Sequence, residues 1–180
     1  MYKNNENQYG LVAIVVHWLS AAVIIGLFAV GLWMVDLNYY SDWYQTAPHY
    51  HKSVGILLLA LTLFRIVWKL VNPSPKALGE NKTEVIAAKF GHHALYLLML
   101  TVLISGYLIT TADGRGIDVF NWFTVPSMGE LFAQQEDIAG DIHEYAAYGI
   151  IALATIHMLA ALKHHFLDKD STLTRMIKTK

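Results

Sequence analysis

An all-α integral membrane protein, a four-helix bundle with both termini in the cytoplasm, is the fold class this sequence predicts, and three observations predict it. The chain of 180 residues is 55% hydrophobic and only 15% charged, against about 45–50% and about 25% in soluble domains. Its mean hydropathy of +0.38 leaves too little polar surface for water, so a bilayer is the expected solvent. Four apolar stretches each reach the length of about 20 residues that a helix needs to cross the hydrocarbon core. Lys and Arg collect in alternate connections, as in proteins that keep positive loops inside. The balance of 13 Lys+Arg against 14 Asp+Glu lacks the basic excess of a nucleic-acid binder. All of 1–180 is read as one transmembrane domain.

The first span runs over about 11–35 without a charged side chain. It is longer than the apolar core of a signal peptide, about 7–15 residues, and is read as a retained helix. Trp33, Tyr39, Tyr40, Trp43 and Tyr44 follow it as an interfacial belt. The second span covers about 51–71, with Arg65 and Lys69 near its end, and Asn72-Pro73-Ser74-Pro75 stops it. The third covers about 87–110. The long connection 111–141 is expected to lie on the outer interface through its Val119–Phe123 and Leu131-Phe132 runs. The fourth span covers about 142–162.

Orientation follows from charge. Lys3, Lys69, Lys76, Lys82, Lys89, Lys163, Lys169, Arg175, Lys178 and Lys180 lie in the N-terminal tail, the second connection and the C-terminal tail, and mark those as cytoplasmic. The other connections hold Arg115, with Lys52 at a helix edge. The carboxylates of Asp36, Asp42, Asp113, Asp118, Glu130, Glu136, Asp137, Asp141 and Glu144 fall on the opposite, outer side.

Zero Cys and nine His form the next pair of observations. Without Cys there are no disulfides, iron–sulfur clusters, thiolate ligands or covalent c-type haem. Ionisable residues inside a span are costly and point to function. His143 and His157 are fourteen residues apart on the fourth helix, which returns them to within about 40° of one face and separates them by about 21 Å. His51 enters the second helix at the outer side, level with His143. His17 lies near the inner end of the first helix, level with His157. Two imidazoles at one depth on neighbouring helices, twice over, predict bis-His ligation of two stacked b-type haems.

Arg65 falls at the inner level, within reach of a propionate, and Lys52 stands beside His51 at the outer one; both join the four His as cofactor-binding candidates. Snorkelling to the interface is the plain alternative for Arg65. Gly31, at the outer level, provides either clearance for a macrocycle or simple helix packing. The small residues Ala146, Ala147, Gly149, Ala152 and Ala154 suit close approach to a flat cofactor. A single intramembrane His more often bonds another helix than a cofactor; four at matched depths reverse that preference. Zinc would need three or four ligands at one spot, and these His occupy two levels. His49 is a substitute outer ligand. His92 and His93 read as the start of the third helix, with contact to a propionate or quinone headgroup as the functional alternative, and His164 and His165 as interfacial residues.

Val16-His17-Trp18-Leu19, His51-Lys52-Ser53-Val54-Gly55, Ile142-His143-Glu144, His157 with Ala160-Ala161-Leu162-Lys163-His164-His165-Phe166, and Asp168-Lys169-Asp170-Ser171-Thr172-Leu173 together resemble the bacterial cytochrome b561 family over nearly the whole chain. The resemblance implies a multi-pass inner-membrane protein with two b haems on the four His, exchanging electrons with the ubiquinone pool. One relative in that family is associated with oxidising superoxide at the periplasmic face. Steering an anionic radical wants positive potential, whereas the outer face here is acidic apart from a local group of His49, Lys52 and Arg115.

With both axial positions filled, chemistry is expected to be outer-sphere, one electron passing between the two levels. Acidic loops should lower the outer potential and Arg65 raise the inner one, favouring inward flow. Whether the chain is best described as an enzyme stays open: electron carrier, superoxide:ubiquinone oxidoreductase and haem-bearing anchor subunit with a separate partner are the competing readings. A transporter or sensor using His as proton carriers is the reading without haem.

Overall fold

The computed structural model describes residues 1–78 and 81–178; Lys180, counted above among the basic residues, lies outside them. Four long helices run α1 (Leu11–Val35), α2 (Thr46–Val71), α3 (Lys82–Thr111) and α4 (Gln135–Phe166), with a short hairpin, β1 (Ile117–Val119) and β2 (Phe123–Val125), between α3 and α4. All four helices are long and apolar enough to cross a membrane, and the all-α membrane bundle expected from the sequence is the fold observed.

Three helices extend beyond their apolar segments, because a helix does not stop where hydrocarbon does. α2 begins at Thr46 rather than about 51, and Pro48 is tolerated there in the first turn, where no intrahelical partner for its nitrogen is required. α3 begins at Lys82 rather than about 87, capped by the Asn81 side chain, which accepts from the Thr83 N–H at 3.0 Å. α4 begins at Gln135 rather than about 142; Glu136 and Asp137 in its first turn oppose the positive end of the helix dipole.

Three buried hydroxyls are satisfied within their own helices, as a lipid environment favours, while the Thr62 hydroxyl has no partner among the described residues. Ser20, Ser105 and Thr111 donate to the carbonyls of Val16, Thr101 and Tyr107 at 2.7–2.9 Å. The buried apolar cluster is Leu58, Met99, Leu103 and Ile150. Ile150 is midway between His143 and His157 in sequence, so this cluster forms an apolar layer between the two histidine levels.

Helix pairing is uneven. α3 packs along α4, and α1 along α2, with a smaller contact between α2 and α3. α1 meets α4 through rings: His17 with His157, and Phe28 with Tyr148 at 5.5 Å between centroids. Gly149 faces Leu98 of α3. At that position the small residue lets α4 pack closely on α3.

Both termini lie at one end of the bundle. Lys76 N–H donates to Glu6 O at 2.8 Å, Arg175 donates to Lys76 O at 2.9 Å, and the Trp18 indole donates to Met176 O at 2.6 Å. The N-terminal segment, the α2–α3 connection and the C-terminal tail are thereby tied together. A Cβ at Gly10 would strike the backbone of Tyr2 and Lys3, so this tight return requires glycine. We call this the termini end, and the opposite one the hairpin end.

At the hairpin end, the connection expected to lie on the outer interface forms the hairpin and is tied to the helices. Ser53 of α2 accepts from the Phe120 N–H at 3.1 Å, the Tyr107 hydroxyl donates to Pro126 O at 2.8 Å, and Gln135, 1% exposed, donates to Leu108 O at 2.9 Å.

Candidate haem-binding sites

Four histidines meet as two ring pairs. His51 and His143 stand 6.2 Å apart between centroids at 68° at the hairpin end; His17 and His157 stand 6.3 Å apart, also at 68°, at the termini end. A metal ion bonded to the facing nitrogens at about 2 Å each holds two imidazole centroids roughly 6 Å apart. Both spacings therefore accommodate an ion between the rings.

The surroundings of the hairpin-end pair agree. His143 Nδ1–H donates to the Val102 carbonyl of α3 at 2.8 Å, with Ser105 Oγ at 3.3 Å. That bond fixes the proton on Nδ1 and leaves Nε2 unprotonated, its lone pair available to a metal, the usual arrangement for a ligating imidazole. His51 Nδ1 is buried without a hydrogen-bond partner among the described residues, an orphan that calls for a group near the ring. Gly31 lies against His51, where a Cβ would come within 3.5 Å of Cε1; at Gly106 a Cβ would stand 3.0 Å from His143 Cε1. An apolar groove of about 240 Å³, lined by Val23, Gly26, Leu27, Val30 and Tyr50, opens beside His51.

The termini-end pair is more polar. Arg65 donates to His17 Nδ1 at 2.9 Å. Its guanidinium and the Lys69 ammonium both lie over the Tyr96 ring, at 5.2 and 4.8 Å. His92 stands 5.2 Å from His157, closer than His17 does. Tyr9, from the N-terminal segment, completes this end: burial raises its phenol above the ordinary range against the opposing charges of Arg175 and Arg65.

Lys52 is exposed beside His51 in sequence, and its side chain makes no hydrogen bond or ion pair among the described residues. Arg115 is spoken for: it donates to Asp113 Oδ2 at 2.6 Å. The Asp113 carboxyl is held below its usual range first by hydrogen bonds from Arg115, then by the charges of Arg115 and Lys52. The positive group formed by His49, Lys52 and Arg115 is thus partly neutralised. His93 bonds back to Lys89 O within its own helix at 2.7 Å, and His165 meets Phe166 edge-to-face. His164 joins Asp168 and Asp170 at 3.0 and 2.9 Å in a latch at the termini end. Lys163 stands 2.9 Å from both Glu84 and Asp168 there, so the carboxylates already have a cation.

The profile of a family described as "Prokaryotic cytochrome b561" matches residues 8–179. The chain belongs to the prokaryotic cytochrome b561 family. "Cytochrome b561 homolog 2" of Escherichia coli is 46% identical over 177 residues, covering 98% of this chain and 94% of that protein. "Probable superoxide oxidase CybB" of Yersinia pestis is 29% identical over 97% of this chain and 98% of its own. "Cytochrome b562" of Cereibacter sphaeroides is 31% identical over 96% and 97%. Membership makes the chain a multi-pass membrane electron-transfer protein that binds haem b.

Of the residues in this region, Gly106, Ser105 and the Val102 carbonyl were not anticipated from the sequence, and His92 was read mainly as a helix end. Only His92 carried a sequence signal, as an ionisable group in an apolar segment.

Proposed function

We propose that this protein moves single electrons across the bacterial inner membrane through two haem b groups, one held by His51 and His143 and the other by His17 and His157. The observation carrying this reading is the equal spacing of the two ring pairs, 6.2 and 6.3 Å, on either side of an apolar layer. His92 is the competitor at the termini end, but its 5.2 Å spacing from His157 is short for an ion between rings, which favours His17. The basic residues of the termini end support its assignment to the cytoplasm.

Bound haem supplies reversible one-electron redox chemistry at iron. His51 with His143 and His17 with His157 would hold the two groups, the apolar layer of Leu58, Met99, Leu103 and Ile150 would separate them, and the differing surroundings would tune the two potentials separately. A neutral imidazole ligating through Nε2 carries its proton on Nδ1. Val102 O accepts such a proton from His143 without rearrangement. At His17, Arg65 donates to Nδ1; ligation through Nε2 would put a proton on that nitrogen, and the guanidinium would then be available to pair with a carboxylate such as a propionate. Exchange with the ubiquinone pool completes the reading, on family membership.

Haem quantification of the purified protein, with a potentiometric titration of its b-type absorption, tests the proposal. Two haems per chain and two one-electron transitions are expected; one haem, or none, sinks the two-site assignment. A second reading, superoxide as the electron donor, follows the printed name of the Yersinia pestis relative. The Arg115–Asp113 pair at the hairpin end opposes it. Stopped-flow mixing of the oxidised protein with superoxide and with ubiquinol separates the two: rapid haem reduction by superoxide alone would establish the second.

A further inference from the structure

Beyond their first turns, the four helices treat their hydroxyls alike. Ser20, Ser53, Thr101, Ser105, Thr110, Thr111 and Thr155 each donate to the carbonyl four residues back, at 2.7–2.9 Å. Thr62 does not. It is 0% exposed, and its hydroxyl is unpaired among the described residues, although Leu58 stands four residues before it in the same helix. An unpaired hydroxyl away from water is costly. A buried orphan where every comparable group is satisfied therefore marks a place where another group is to be met.

The place is next to the termini-end pair. Thr62 follows Leu58 of the apolar layer by one helical turn. It precedes Arg65 by three residues, a rise of about 4.5 Å, on the same side of α2. Arg65 donates to His17 Nδ1 at 2.9 Å, so that nitrogen is turned towards this part of α2. A guanidinium donates and never accepts. Nδ1 is therefore unprotonated in this arrangement, and the proton of the neutral ring is on Nε2. The hairpin end shows the opposite tautomer, with His143 Nδ1–H donating to Val102 O at 2.8 Å. For His17 to ligate through Nε2 its proton must be on Nδ1, where Arg65 cannot receive it. A hydroxyl can, and keeps its own proton to donate.

We propose that Thr62 Oγ1 accepts the Nδ1–H of His17 when that imidazole ligates through Nε2, which makes Thr62 a positioning residue of the termini-end site. This rests on the assignment of His17 as a haem ligand. The imidazole stays neutral: one proton leaves Nε2 to water and one is taken up from water at Nδ1. Arg65 gives way to the Thr62 oxygen, and the hydroxyl proton turns to the Leu58 carbonyl, the bond its counterparts already make. Nδ1 and the hydroxyl are then both paired. A hydroxyl is a weaker acceptor than the carbonyl that serves His143, so His17 becomes the less electron-rich ligand. That difference raises the termini-end potential, in the same direction as the neighbouring cations.

Thr62→Val, which removes the hydroxyl at nearly constant shape, and Thr62→Ser, which keeps it, test the proposal in the haem-loaded full chain in nanodiscs. Thr62→Val should weaken retention of the termini-end haem against excess apomyoglobin about tenfold, the low end of the cost of losing a ligand's hydrogen-bond partner. It should also raise the termini-end midpoint and change the electron paramagnetic resonance of that haem. Thr62→Ser should restore all three to wild type. An unaltered hairpin-end haem in both variants reports retained fold. Wild-type behaviour of Thr62→Val, equal loss in Thr62→Ser, or an equal change at both haems overturns the proposal. His17→Ala separates the two levels of inference. If it keeps both haems, the ligand assignment falls and this proposal with it. If it loses the termini-end haem while Thr62→Val is silent, only the role of Thr62 falls.

Discussion

At the hairpin end, His51 and His143 face each other among apolar side chains, a backbone carbonyl and two glycines, whereas at the termini end His17 and His157 share their level with Arg65, His92 and Tyr9. The ring spacings and angles are the same. One geometry in two electrostatic settings is what an electron path needs. On the proposed two-haem reading, the two His pairs would hold the groups alike and nearby charge would bias the direction of flow. A cation near the iron favours the ferrous form, so the termini end should hold the higher potential.

Removing a ligand breaks the comparison most severely. His143→Ala should lose the hairpin-end haem and His157→Ala the termini-end one, each leaving a single transition in a redox titration. Loss of both haems from either variant would show that the two levels are not independent. Next in size is Arg65→Leu, which should lower the termini-end midpoint alone, because removing the positive charge destabilises the reduced state. At an effective dielectric of about 20 this amounts to roughly 1–3 kcal/mol. Equal shifts in both midpoints, or none, would remove Arg65 from the inner site.

A subtler change separates the two glycines. An added methyl at Gly106 meets His143 at 3.0 Å, while one at Gly31 meets His51 at an ordinary 3.5 Å. Gly106→Ala should therefore rotate His143 and shift the electron paramagnetic resonance of the hairpin-end haem, with Gly31→Ala close to wild type; the reverse order refutes the packing argument. The smallest effect concerns acid. Burial raises the Asp170 carboxyl, but hydrogen bonds from Thr172 and contact with His164 outweigh it and hold the group below its usual range. A depressed carboxylate contributes stability above its unfolded value, about pH 4, and loses it as pH falls through the folded one. Hydrogen exchange over residues 167–178 should accelerate only below about pH 4, while the hairpin end stays protected.

Legibility in the sequence followed how local each determinant is. The first span and the depths of His17, His51, His143 and His157 depend on hydropathy and on helical rise per residue, so they were readable before any packing was known. The partner of His92 is not legible in the sequence, because its facing depends on how α3 turns against α4. The capped helix begins at Lys82, which carries His92 well inside α3, facing His157. Gly106 and the Val102 carbonyl left no trace, since a glycine in an apolar helix has many uses and a backbone acceptor has no residue type. The hairpin was equally hidden: its strands are three residues each, and Phe120-Asn121 is not a sequence that advertises a turn of positive φ.

The sequence by itself determined the number of spans, a common side for both termini, the noncovalent attachment of any haem and the four histidine depths. Only the tertiary structure decided which ring meets which, what holds each imidazole's second nitrogen, and that the hairpin returns over α2. The reason is rotational. Depth along a helix is a sum over residues, but a helix that is apolar all round carries little information about its azimuth, and azimuth is chosen by the packing of neighbours.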